Sequence, residues 1–223
     1  MSDSPAAPAD HLRSTLTIDQ RHALTTAATR LHEAFAETYG RETIEHFLTT
    51  SYDEFASRAT VVNYLPLLAE RFARQRLLAL AKVEGKLNTD KPVALFLCTH
   101  NAGRSQMALG WFTHLAGDQA IAWSGGSEPD THINQFAVEA MNEIGIDITG
   151  EFPKPWTEEI LRAADVIVTM GCGDACPIYP GRRYENWELT DPDRQSLEVV
   201  RGIRDEIGNR VRDLLTSLDI TTH

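Results

Sequence analysis

The chain has 223 residues, 42% hydrophobic and 24% charged, which is the balance of a globular protein and not of a disordered or fibrous one. Its net charge of -11 argues against nucleic acid as the main partner, because phosphate contacts need clustered Lys and Arg. No apolar run approaches the ~18 residues that span a bilayer, and the opening MSDSPAAPADHLRS lacks the basic-then-apolar order of a signal peptide, so a cytoplasmic protein with no membrane partner is expected. The acidity is uneven: residues 1–97 carry 11 Lys and Arg against 12 Asp and Glu, and residues 98–223 carry 10 against 20. An anionic substrate must therefore be captured by local donors and not by long-range attraction.

In chain order, residues 1–14 are rich in Pro, Ala, Ser and Asp and are expected to form a flexible tail. Residues 15–85 read as an all-α three-helix bundle. Leu24, Ala28, Leu31, Phe35 and Tyr39 form one stripe stopped by Gly40. Ile44, Phe47, Leu48, Tyr52 and Phe55 form a second, and Leu68, Phe72 and Leu80 form a third, opened by Pro66 and ending near Gly85. A DNA-binding face built on Arg71, Arg74, Arg76 and Lys82 is the competing reading, but Glu42, Glu45, Asp53 and Glu54 on the second helix favour a solvated charged surface.

Residues 86–92 are polar and read as a linker, after which the periodicity changes. Val93 to Leu97 is a short unbroken apolar run, as in a strand buried on both faces. A helix is predicted over 104–116, a strand over 120–124, a helix over 133–144, a buried strand over 166–170, an edge strand near 184–189 and a closing helix over 196–218. Strands alternating with helices predict an α/β domain over 93–223, an open parallel sheet with helices on both faces.

The chemistry concentrates where the first strand ends. Cys98 is followed by Thr99, His100, Asn101, Ala102, Gly103, Arg104 and Ser105, and the last two open a helix. Backbone N–H groups of such a loop converge on a tetrahedral anion, the Arg104 fork grips two of its oxygens, and the same donors favour the thiolate of Cys98. His100 is either a further donor or an exposed loop residue. Asn101 can brace the loop, and Ser105 can donate to the sulfur. Asp191, in Thr190-Asp191-Pro192-Asp193, lies after a strand and before the last helix, where a general acid is needed; Asp-Pro also reads as turn chemistry or a helix cap. Cys172 and Cys176 complete an odd number of cysteines, which in a reducing compartment argues against a structural disulfide framework. Half a zinc site is their alternative, but no local His or Cys supplies the two further ligands, so no metal is expected.

Strand, CTHNAGRS loop, helix and a late Asp-Pro loop together resemble the low-molecular-weight protein tyrosine phosphatase fold. VALFLCTHNAGRSQMALGW, SGGSEP, ADVIVTMGCGDACP and YENWELTDP resemble the thioredoxin-coupled arsenate reductases within it. The resemblance implies Cys98 as nucleophile, Arg104 and the loop as arsenate site, Asp191 as general acid, and Cys172 and Cys176 as the redox pair that passes electrons from thioredoxin. No bound cofactor is implied. Some relatives hold potassium beside the loop; Asn101, Ser124 and Asp165 match that site, while Leu109 replaces an acidic ligand, so potassium is a candidate ion with an incomplete ligand set. A phosphatase would use the same Cys98, Arg104 and Asp191 without further thiols, and an arsenate-thiol transferase would need only one cysteine. A bundle of this size barely supports itself, so a homodimer with the bundle in its interface is expected.

Overall fold

The computed structural model describes residues 16–58, 64–87, 89–171 and 178–221. They fall into two compact units that part in the chain after Leu87. The first is helical. Helix α1 (Ile18–Phe35) starts on Thr17, whose hydroxyl accepts the Gln20 N–H while the Gln20 side chain accepts the Thr17 N–H, a reciprocal capping box. Gly40 does not stop α1, which ends at Phe35; it is instead the residue from which α2 (Arg41–Ala56) begins. Helix α3 (Leu65–Val83) carries Pro66 in its first turn and closes before Gly85, at a φ of +67°. The core holds Leu31, Phe35, Ile44, Leu48, Tyr52, Phe55, Phe72 and Leu77. On α3 the buried stripe runs through Leu65, Ala69, Phe72 and Leu77, one step around from the predicted one, leaving Leu68 and Leu80 half-buried. Buried Glu70 is held by the fork of Arg30, at 2.8 Å to Oε1 and 2.5 Å to Oε2.

The second unit is a four-stranded parallel sheet of order β2-β1-β3-β4: β1 (Val93–Cys98), β2 (Ile121–Gly126), β3 (Val166–Thr169) and β4 (Arg183–Asn186). All positions of β1 are buried. Ala94, Phe96 and Cys98 share a core with α4 (Arg104–Ala116), α5 (Gln135–Asn142) and α7 (Leu197–Ser217). The alternate residues Val93, Leu95 and Leu97 are buried on the opposite face, and α6 (Glu158–Ala163) packs on β1.

All four strands differ from their predicted bounds, β1 and β3 by a single residue and the other two by more. β2 continues past Ser124 through Gly125 and Gly126, which pair with Leu97 and Cys98 and bring a second strand end to the nucleophile. β4 ends at Asn186 because Trp187 turns into the core beside Phe96. No helix among the described residues is long and apolar enough to cross a membrane. The strands being parallel, Cys98, Gly126 and Gly171 all lie at or just beyond strand ends on one carboxyl edge, where open α/β sheets bind ligands.

Candidate active site

Cys98 is 2% exposed at the end of β1, and α4 begins at Arg104. Between them each carbonyl from Thr99 to Gly103 has a donor. Glu128 N–H serves Thr99, Asp130 N–H serves His100 and Asn134 N–H serves Ala102, each at 2.9 Å. Gln106 Nε2 serves Asn101, also at 2.9 Å, and Gly103 takes the N–H groups of Gln106 and Met107. A trans peptide points its N–H opposite its C=O. Carbonyls secured in this way leave the N–H groups of the loop turned to the other side, the geometry of an anion nest.

Two donors reach the sulfur. Asn101 N–H lies 3.2 Å from Sγ and Ser105 Oγ lies 2.9 Å from it. Asn101, at a φ of +47°, is completely buried. Its Oδ1 accepts the Lys154 N–H at 2.9 Å and Gln106 Nε2 at 3.2 Å, and its Nδ2 donates to Ser105 Oγ at 2.8 Å. The Lys154 N–H can only donate, so the amide has one orientation. Ser105 Oγ accepts from Asn101 Nδ2, which leaves its own hydrogen free for Cys98 Sγ.

Arg104 is 8% exposed; Nη1 donates to the Leu189 carbonyl at 3.3 Å, and Nη2 pairs with Asp191 Oδ2. Asp191 Oδ1 accepts the Asp193 N–H at 3.0 Å. Cys98, Arg104 and Asp191 line one cleft of about 510 Å³, with His100, Asp130 and His132 also in its wall. His100 is exposed and gives the loop only its backbone.

Three glycines let these parts meet. A Cβ on Gly103 would collide with the Pro192 ring, one on Gly126 would lie 2.6 Å from the Thr99 carbonyl oxygen, and one on Gly171 would lie 2.8 Å from Arg104 Nη1. Gly171 also has a φ of +80°, and its carbonyl accepts from Thr99 Oγ1 at 3.0 Å. Cys172 and Cys176 lie outside the described residues.

The sequence reading missed Gln106, Lys154 and Gly126. Gln106 looks like an ordinary helix residue, and Lys154 like a surface lysine; its one signal was the flanking Pro153 and Pro155, which stiffen the segment. The residues matched to a potassium site do not form one. Asn101 and Ser124 both contact Lys154, and Leu109 offers no oxygen. Asp165 stands at the far end of β1, about 16 Å along the strand from Cys98, where its carboxylate accepts the Val93 N–H.

Comparison with known proteins agrees with this arrangement. Residues 24–81 match the protein-tyrosine-phosphatase-like N-terminal domain, and residues 93–222 match the low molecular weight phosphotyrosine protein phosphatase family. An arsenate reductase of Halalkalibacterium halodurans is 41% identical over 55% of this chain and 94% of its own length. One of Bacillus subtilis is 39% identical over 56% and 95%. The solved structure of a thioredoxin-dependent arsenate reductase of Corynebacterium glutamicum covers 89% of this chain and 97% of its own, with a TM-score of 0.80 and 40% identity, so the likeness extends through the helical unit. With both segments matched and the nucleophile cradle in place, the chain belongs to the low molecular weight phosphotyrosine protein phosphatase family.

Proposed function

We propose that this protein is an arsenate reductase, converting arsenate to arsenite by a thiol and disulfide relay recycled by thioredoxin. The observation that carries this reading is a buried sulfur contacted by Asn101 N–H and Ser105 Oγ inside an anion nest, in a chain with two further thiols at Cys172 and Cys176. The likeness to the thioredoxin-dependent reductase of Corynebacterium glutamicum over most of both chains supports it.

Arsenate binds to the N–H groups of Thr99, His100, Asn101, Ala102, Gly103, Arg104 and Ser105 and to the Arg104 guanidinium. Cys98 attacks arsenic, and the oxygen that departs takes the Asp191 proton and leaves as water. Cys172 then attacks Cys98 Sγ. A sulfur–sulfur bond forms, the sulfur–arsenic bond breaks, and its electron pair stays on arsenic, which leaves as arsenite. Cys176 attacks Cys172, freeing Cys98 as thiolate, and the Cys172–Cys176 disulfide passes to thioredoxin. Two electrons reduce one arsenate for each disulfide formed. The reducing cytoplasm is the compartment that suits this cycle.

The described cleft lining carries no Phe, Tyr or Trp to stack on a phosphotyrosine ring, and Asp193 and Arg194 follow Pro192. The test is NADPH consumption with arsenate, thioredoxin and thioredoxin reductase. Wild type should turn over, and Cys98→Ser, Cys172→Ser and Cys176→Ser should not. Wild-type rates in the Cys172 and Cys176 variants would overturn the relay, and aryl phosphate hydrolysis without arsenate reduction would replace it with a phosphatase.

A further inference from the structure

One carbonyl of the anion loop is held differently from the rest. Those of Thr99, His100, Ala102 and Gly103 accept backbone N–H groups, which do not depend on what side chains the donors carry. The Asn101 carbonyl is held by a side chain: among the described residues its donor is Gln106 Nε2, at 2.9 Å. Gln106 is completely buried in the first turn of α4, where side chains lean toward the helix N-terminus, and it therefore reaches back over the loop. The same Nε2 lies 3.2 Å from Asn101 Oδ1 and 3.2 Å from the Phe152 carbonyl. Turned over, the amide would set Oε1 against three oxygens, so its orientation is fixed.

Asn101 has a φ of +47°, in the left-handed region that a residue with a Cβ enters at a cost, so its conformation has to be held by its surroundings. The peptide before it aims the Asn101 N–H at Cys98 Sγ, 3.2 Å away. The peptide after it has its C=O on Gln106 and, being trans, turns the Ala102 N–H the opposite way, toward the cleft that Cys98, Ala102, Gly103 and Arg104 line. We propose that Gln106 is a positioning residue for oxyanion capture: its side-chain N–H fixes the Asn101–Ala102 peptide so that the Ala102 N–H donates to the bound anion. Without that donor the peptide turns over to satisfy its carbonyl, and an oxygen then faces the anion where a hydrogen should be. The sulfur is affected little, since its contacts are the Asn101 N–H, which belongs to the other peptide, and Ser105 Oγ, and the Asn101 side chain keeps the Lys154 N–H as an anchor. The assignment deepens the reductase reading by naming what sets its hold on arsenate, and it rests on that reading only for the identity of the oxyanion.

The probe is inorganic phosphate, a tetrahedral oxyanion that is not reduced, titrated into the full chain with Cys172 and Cys176 replaced by serine. Two signals are followed: the backbone amide resonances of the loop, and the protection of Cys98 against iodoacetamide. With Gln106 in place, the Ala102 amide should move downfield as phosphate saturates. Gln106→Met, which fills a similar space without a donor, should bind phosphate on the order of tenfold to a hundredfold more weakly, the range of one hydrogen bond to a charged group. At saturation its Ala102 amide should stay in place while the His100 and Gly103 amides still shift, and Cys98 should be alkylated near the wild-type rate when phosphate is absent. An Ala102 amide that ignores saturating phosphate when Gln106 is present overturns the proposal without any Gln106 variant having to fold. Undiminished phosphate affinity in Gln106→Met overturns it too. So does a loss spread equally over all the loop amides with alkylation slowed as well, since that would reduce Gln106 to packing. Arsenate plays no part, so failure of the thiol relay leaves each of these outcomes readable.

Discussion

At the scale of single residues, Asp191 carries the sharpest expectation. Its carboxylate pairs with Arg104 Nη2 and accepts the Asp193 N–H, which keeps it in the wall of the cleft that Cys98 also lines. Asp191→Asn retains an oxygen for Arg104 and loses the transferable proton. Formation of the Cys98 adduct should then slow by about 10²–10⁴-fold in a single-turnover experiment, while iodoacetamide still alkylates Cys98 near the wild-type rate. A slowing of less than tenfold would move the acid elsewhere. Cys98, Arg104 and Ser105 were legible in the sequence because their chemistry depends on neighbours a few positions away. Lys154 and Gln106 were not: their contributions are hydrogen bonds to Asn101 that exist only once the chain has folded, and Asp165 was grouped with Asn101 and Ser124 on the family resemblance alone.

At the scale of elements, the strands that could be read were those buried on both faces, because an unbroken apolar run such as Val93 to Leu97 has few other places to go. The glycines that extend β2 to Gly126 carry no hydrophobic signal, and α6 is too short to show a period. Connections between elements were equally hidden. Glu143, at the end of α5, receives the forked side chain of Arg201 on α7 at 2.8 and 2.5 Å and also contacts Arg204. The hydrogen bonds from Arg201, aided by the positive charges of Arg201 and Arg204 against a smaller desolvation, hold its carboxyl below the ordinary glutamate value. A folded value below the unfolded one stabilises the protein above the unfolded value, about 4.3, and that stabilisation is lost as pH falls through the folded value. Glu143→Gln should lower the urea midpoint at pH 7 and converge with wild type in acid. Equal midpoints at pH 7 would remove the pair from the stability balance.

At the scale of the whole molecule, each unit has its own core, and the helical one is small for an independent domain. It leaves Ile18, Tyr64 and Leu67 more than half exposed. On this ground we place a second copy of the chain against the helical unit and expect light scattering to give twice the 24.8 kDa of one chain; a mass near 24.8 kDa would sink the dimer. The carboxyl edge of the sheet has a further consequence. Thr99 Oγ1 holds the Gly171 carbonyl beside the anion loop, and one peptide bond joins Gly171 to Cys172. In the relay proposed above, a tether that short would make the attack of Cys172 on Cys98 an intramolecular event, with an effective concentration above the millimolar range of ordinary flexible linkers. Small thiols dissolved in the cell would arrive too seldom to intercept the Cys98 adduct, and the chain's own sulfur would win the race.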